Sequence, residues 1–184
     1  YQGDKMIKEY IIEDTKGPAV FMHFSTIKVW VNGTELTKGW VEGVDETSDT
    51  SHAIGSSTTP ATSKDDADWY VANVDNTDSK FSIHINWLNN DGTFKFNNNG
   101  KPNVIKITYE GVLKSKGVVY GDNGNLNTAT LFVLPNGSTE RAQVGNPSEA
   151  KAVTYSGELF KYTTENGVKK PLAGAEFTIV REGE

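Results

Sequence analysis

Apolar and polar residues alternate with a period of two over many short stretches of this chain. That period places every second side chain on one face of a β-strand. Lys8 to Ile12 reads as a first strand. His23 to Asn32 reads as a longer one, with Ile27, Val29 and Val31 on one face and the tight-turn pair Asn32-Gly33 behind it. Trp40 to Val44 is a short candidate. Phe81 to Leu88 sets Phe81, Ile83, Ile85 and Trp87 on one face. Thr93 to Phe96 is short, Val104 to Lys114 alternates, and Thr128 to Leu134 closes the series. Val153 to Thr163 and Ala175 to Val180 add two strands, joined through a turn holding Asn166-Gly167 and Pro171. Turn residues separate the runs at close spacing, the pattern of an all-β, immunoglobulin-like β-sandwich. No segment has convincing helical periodicity; the best short candidate is Asp65 to Val71. The polar stretch Asp45 to Asp68 is too long and polar for a core element and reads as an exposed excursion.

The apolar pattern weakens between Pro135 and Ala150, which predicts two domains, 1–149 and 150–184. The first is a sandwich and the second only the opening hairpin of another. An isolated hairpin is marginal in water, so the apolar face carrying Leu159, Phe177 and Ile179 is expected to be covered by the rest of its domain.

Charge narrows the partners. Eighteen Lys and Arg against 24 Asp and Glu give a net charge of -6. That argues against nucleic acid, whose phosphates require a basic face. No stretch approaches the roughly 18 apolar residues of a membrane span. Tyr1 opens directly into polar sequence, so the chain reads as an excised or processed fragment. Its 184 residues contain no cysteine. That fits equally a cytosolic protein or one that needs no staple, and an extracellular domain stapled by a chemistry other than the disulfide.

Two stretches carry a resemblance. Leu159-Phe-Lys-Tyr-Thr-Thr-Glu-Asn-Gly-Val-Lys-Lys-Pro-Leu-Ala-Gly-Ala-Glu-Phe-Thr-Ile-Val180 closely resembles the first two strands of CnaB-type domains. Ile105 to Leu134, with its Ile-Thr-Tyr-Glu-Gly-Val-Leu strand and Gly-Asp-Asn-Gly-Asn-Leu-Asn-Thr-Ala loop, resembles the end of a CnaA-like fimbrial isopeptide-formation domain. Ile-Ile-Glu-Asp14-Thr, followed by Val-Trp-Val-Asn-Gly, is similar to the same family. The resemblance implies a sortase-assembled pilin or surface adhesin of Gram-positive bacteria, extracellular and anchored to the cell wall. Its partners would be other pilin subunits or remaining parts of the same polypeptide, and a host-surface ligand is a further candidate.

The resemblance also implies residue roles. Lys161 would be the lysine of an intramolecular isopeptide bond. Asp14 would assist bond formation in the first domain, with Asn136 as its reactive amide and Asn127 as the fallback. The family's lysine for that bond lies on a first strand well before the acid. Lys5 and Lys8 are poorly placed for it, so that strand is expected to lie upstream of this chain.

Such a bond requires a neutral amine, although a free lysine has a pKa of about 10.4. Burial favours the neutral form, and a nearby protonated acid can shuttle the proton. No cofactor is implied, and no enzymatic activity beyond this self-directed cross-linking. Each residue also has an ordinary reading: Lys161 as a solvated strand lysine, Asp14 as a turn opener before Gly17, Asn136-Gly137 as a turn pair.

Other chemistry is poorly supported by the sequence. His23, His52 and His84 lack ligand spacing. Asp122-Asn123-Gly124-Asn125 has its Gly too early for a calcium loop, and no Glu closes it. Trp30, Trp40, Trp69 and Trp87 could form a sugar platform but more often fill a core. The expected function is a structural pilin backbone or stalk domain. The alternative is an adhesin module recognising host glycan or matrix protein. A glycosidase would need paired carboxylates, and no recognisable pair is present.

Overall fold

The computed structural model describes residues 6–17, 20–41, 53–54, 59–72, 80–97, 99–113, 125–152 and 161–171. All of its regular structure is β. Two compact units divide the chain, Tyr1–Thr154 and Tyr155–Glu184.

In the first unit, β1 (Ile7–Lys16), β4 (Gly39–Val41), β5 (Ala53–Ile54), β6 (Trp69–Ala72), β7 (Lys80–Asn86), β9 (Asn125–Pro135) and β10 (Ala142–Ala152) form one sheet. Its order is β10-β9-β1-β7-β6-β4-β5. A second sheet, in the order β3-β2-β8, holds β2 (Val20–Val31), β3 (Thr34–Leu36) and β8 (Ile105–Leu113). Only the β4–β6 pair is parallel among these pairings.

The alternation in the sequence becomes the core. Phe81, Ile83 and Ile85 of β7 and Trp69 and Val71 of β6 face Met22, Phe24, Ile27, Val29 and Val31 of β2 in one buried cluster. The rings of Phe24 and Phe81 meet edge to face at 5.2 Å, joining the two sheets. Burial of these side chains is the main favourable term holding the sheets together. The expected immunoglobulin-like β-sandwich is therefore the fold of the first unit.

Asn32 and Gly33 both have positive φ, 53° and 83°, and link β2 to β3 as a two-residue hairpin loop. The same geometry recurs at Asn166 and Gly167, between β11 (Tyr162–Glu165) and β12 (Val168–Pro171) of the second unit. Asn-Gly favours these turns because both central residues need φ above zero.

Three expectations change. The helical candidate at Asp65 to Val71 is instead a turn, with the Asp66 amide donating to the Ser63 carbonyl, followed by strand β6. Thr93 to Phe96 forms only a single bridge, Phe94 to Leu88. Residues 142–152, read as part of a boundary region, form strand β10 along the edge of the large sheet. The Ala175 to Val180 strand, residues 153–160 of the Val153 to Thr163 strand, the Asp122–Asn125 loop apart from Asn125, and half of the Asp45–Asp68 excursion lie outside the described residues.

Candidate functional site

β1 runs through the middle of the large sheet, with β7 on one side and β9 on the other. Its side chains alternate between two faces. Tyr10 and Ile12 pack on the core. Continuing that face by two residues places Asp14 at its end, opposite Phe81 of β7 and Ala129 of β9. Asp14 is 2% exposed.

Its Oδ2 accepts two hydrogen bonds. The Tyr109 hydroxyl, arriving from β8 of the facing sheet, donates at 2.6 Å. The Asn127 Nδ2, from β9, donates at 3.0 Å and also reaches the Tyr109 hydroxyl at 3.1 Å. The Tyr109 ring is itself held edge to face against Phe81, 6.0 Å between centroids. The other carboxyl oxygen of Asp14, Oδ1, is buried without a hydrogen-bond partner.

Burial pushes the Asp14 carboxyl above its ordinary range. The bonds from Tyr109 and Asn127 and the positive charge of Lys16 oppose the shift without cancelling it. Burial, and then the Asp14 carboxylate beside it, raise the Tyr109 hydroxyl as well. The result is a carboxyl biased toward its protonated form and in direct contact with a carboxamide nitrogen. Such an acid can hand a proton to that nitrogen and accept one from an incoming amine.

Asn127 and Asp14 are thus brought together, and Asn136 is not brought to them. Asn136 is exposed near the opposite end of the β1–β9 pair, where its backbone amide donates to the Met6 carbonyl at 2.7 Å. Lys161 stands before β11 in the second unit and is exposed. Two members of the neighbourhood were missed by sequence reasoning. Lys16 is two residues beyond Asp14 on the same face and 4% exposed. Tyr109 lies within the Ile105–Leu134 stretch, but only the packing of the sheets reveals its bond to Asp14.

A second buried polar group occupies the opposite face of β1. Glu9 Oε2 lies 2.9 Å from His84 Nδ1 and accepts from the Tyr70 hydroxyl at 3.1 Å. His84 Nε2 lies 2.9 Å from Ser82 Oγ. Burial pushes the Glu9 carboxyl up, but the bond and charge of His84, with Tyr70 and Lys8, outweigh it and hold Glu9 below its ordinary range. Ser, His and Glu in line suggest a nucleophilic triad. The hydroxyl of Ser82, however, donates to the Ala72 carbonyl at 3.0 Å, and the residue is 1% exposed. This arrangement satisfies buried polar groups and offers a substrate no access.

Two of the four tryptophans are unavailable as a platform. Trp69 and Trp87 are core residues, and the Trp69 indole donates to the Leu36 carbonyl. Trp30 is half-buried beneath the Lys106 ammonium, 5.0 Å from the ring centroid. Among the described residues, no group of three or more His, Cys, Asp or Glu is placed to hold a metal ion, and no helix is long and apolar enough to cross a membrane.

Among solved structures, the chain is similar to the T6 backbone pilin of serotype M6 Streptococcus pyogenes, a modular three-domain structure decorated with variable loops and extensions. Identity is 14% and the TM-score 0.45, over 84% of this chain and 28% of the pilin chain. No family model and no curated protein matches the chain.

Proposed function

We propose that this chain is part of a structural subunit of a bacterial surface fibre, a pilin backbone or stalk module stabilised by a Lys–Asn isopeptide bond rather than by disulfides. The observation that carries the reading is the buried contact between the Asp14 carboxyl and the Asn127 carboxamide. A solvated strand end has no need of an acid held above its ordinary pKa against an amide. A self-made amide cross-link requires that pair. In this reading Asp14 is the acid–base group, Asn127 the electrophile and Tyr109 the group that orients both. An amide cross-link would supply a covalent staple to a chain that has no cysteine for a disulfide.

Other subunits of the same fibre are the natural partners, and the location is the cell surface. Lys161 enters the proposal as the lysine of a second bond, in the second unit, with an amide supplied from outside the described residues.

Intact mass tests the reading. Each bond releases one ammonia, about 17 Da. The parent protein should therefore be lighter than its sequence mass, and Asp14→Ala should restore one such increment. A parent at full sequence mass, or an Asp14→Ala variant that has still lost the same number of ammonias, overturns it.

A further inference from the structure

We propose that the amine of this cross-link belongs to Lys16, so that the bond joins the adjacent strands β1 and β9 directly. The inference rests on the fibre-module reading above and names the nucleophile that it leaves open.

Register supplies the first observation. Lys16 of β1 is paired with Asn127 of β9. The next pair along, Gly17 and Leu126, is joined by a bond from the Gly17 amide to the Leu126 carbonyl at 2.8 Å. Hydrogen-bonded and non-hydrogen-bonded pairs alternate along an antiparallel ladder. Lys16 and Asn127 therefore form a non-hydrogen-bonded pair, the closer kind, in which facing Cβ atoms are about 4.5–5.5 Å apart.

Face and burial supply the second. Asp14 and Lys16 are two residues apart on one strand and both are buried. The bond from Asn127 to Asp14 puts the amide on that same face. Lys16 does not extend into solvent: its Nζ donates to the Val20 carbonyl at 2.9 Å. Releasing that contact and rotating the methylene stem would turn the amine toward the facing strand.

The chemistry balances without an added reagent. Proton exchange between Lys16 and Asp14 gives a neutral amine and a neutral acid, the forms that burial favours. Nζ attacks Cγ of Asn127 and the Nζ–Cγ bond forms. Asp14 gives its proton to Nδ2, with which it is already in contact, and takes one from Nζ. The Cγ–Nδ2 bond breaks and ammonia leaves. Asp14 ends as it began, and the unpartnered Oδ1 is a second oxygen able to carry the proton.

Tandem mass spectrometry of proteolytic fragments from the full chain decides the matter without a variant. The expected product is a branched peptide joining the Lys16 segment to the Asn127 segment, one ammonia light. Lys16→Arg, shown to be folded by circular dichroism, should regain that ammonia mass, and Lys8→Arg should not. A branch from Asn127 to any other lysine overturns the Lys16 assignment and leaves the fibre-module reading standing. A chain with no branch at all, at full mass, overturns both.

Discussion

Asp14 is held by opposing terms of different kinds. Desolvation acts on the charged carboxylate alone, whereas the Tyr109 and Asn127 bonds stabilise that charge, and desolvation prevails. A carboxyl whose folded pKa lies above its unfolded value contributes stability fully below the unfolded pKa. That contribution is lost as pH rises through the folded one. Asp14→Asn keeps the shape without the titrating charge. The thermal midpoint of the variant relative to the natural chain should therefore move in the variant's favour as pH rises above about 4, the unfolded carboxyl's value. Loss of the proposed cross-link would shift the variant's midpoint as well, so the change of the difference with pH, not its sign at one pH, reports the Asp14 shift. A difference that stays flat above that pH would falsify the assigned shift. Asp14 could be singled out in the sequence only through the resemblance, since the strand pattern ends at Ile12 and leaves Asp14 as a turn opener. The sequence prefers Asn136 and keeps Asn127 as the fallback, whereas the fold brings Asn127 to the acid. Both lie on one strand or just beyond it, and only the register of β9 on β1 decides which faces the acid. Lys16 and Tyr109 were hidden for the same reason: one depends on register, the other on the packing of two sheets.

At the scale of elements, β2 and β8 announce themselves by alternation, and so does β7, whose second buried face carries the polar Ser82 and His84 between Phe81, Ile83 and Ile85. β6 is buried on both faces and so has no period to read. β10 has the reverse difficulty. All of its residues are exposed, its sequence includes Gly145 and Pro147, and it is held by backbone pairing to β9. Nothing apolar marks it. Gly39 of β4 illustrates a constraint between elements. A Cβ there would stand 2.4 Å from the Trp69 ring, which is buried and fixed by its bond to the Leu36 carbonyl. Neither ring nor backbone can yield cheaply, so Gly39→Ala should destabilise the first unit by about 1–3 kcal/mol. Chemical denaturation would show it as a lower midpoint at unchanged slope. A variant as stable as the natural chain would mean that Trp69 is free to move.

The whole molecule shows what a bond between β1 and β9 would accomplish. β1 opens the described part of the first unit and β9 with β10 closes it. A Lys16–Asn127 bond would therefore enclose most of the sandwich in a covalent loop, leaving only the flanking segments outside it. Chain-entropy arguments developed for disulfides give about 4.7 kcal/mol for closing a loop of roughly 100 residues. The mechanical effect of such a bond would be larger than that figure suggests. Tension applied through the two ends of the unit would pass along β1 to Lys16, across the new amide, and out along β9, bypassing the chain between them. The sandwich could then lose its hydrogen bonds without paying out the loop. Single-molecule stretching of the natural chain should show an extension confined to the flanking segments. Asn127→Ala should add the contour of the released loop, roughly 400 Å at full extension. Equal extensions for the two chains would mean that the sandwich bears load through its hydrogen bonds alone and that no covalent path joins β1 to β9.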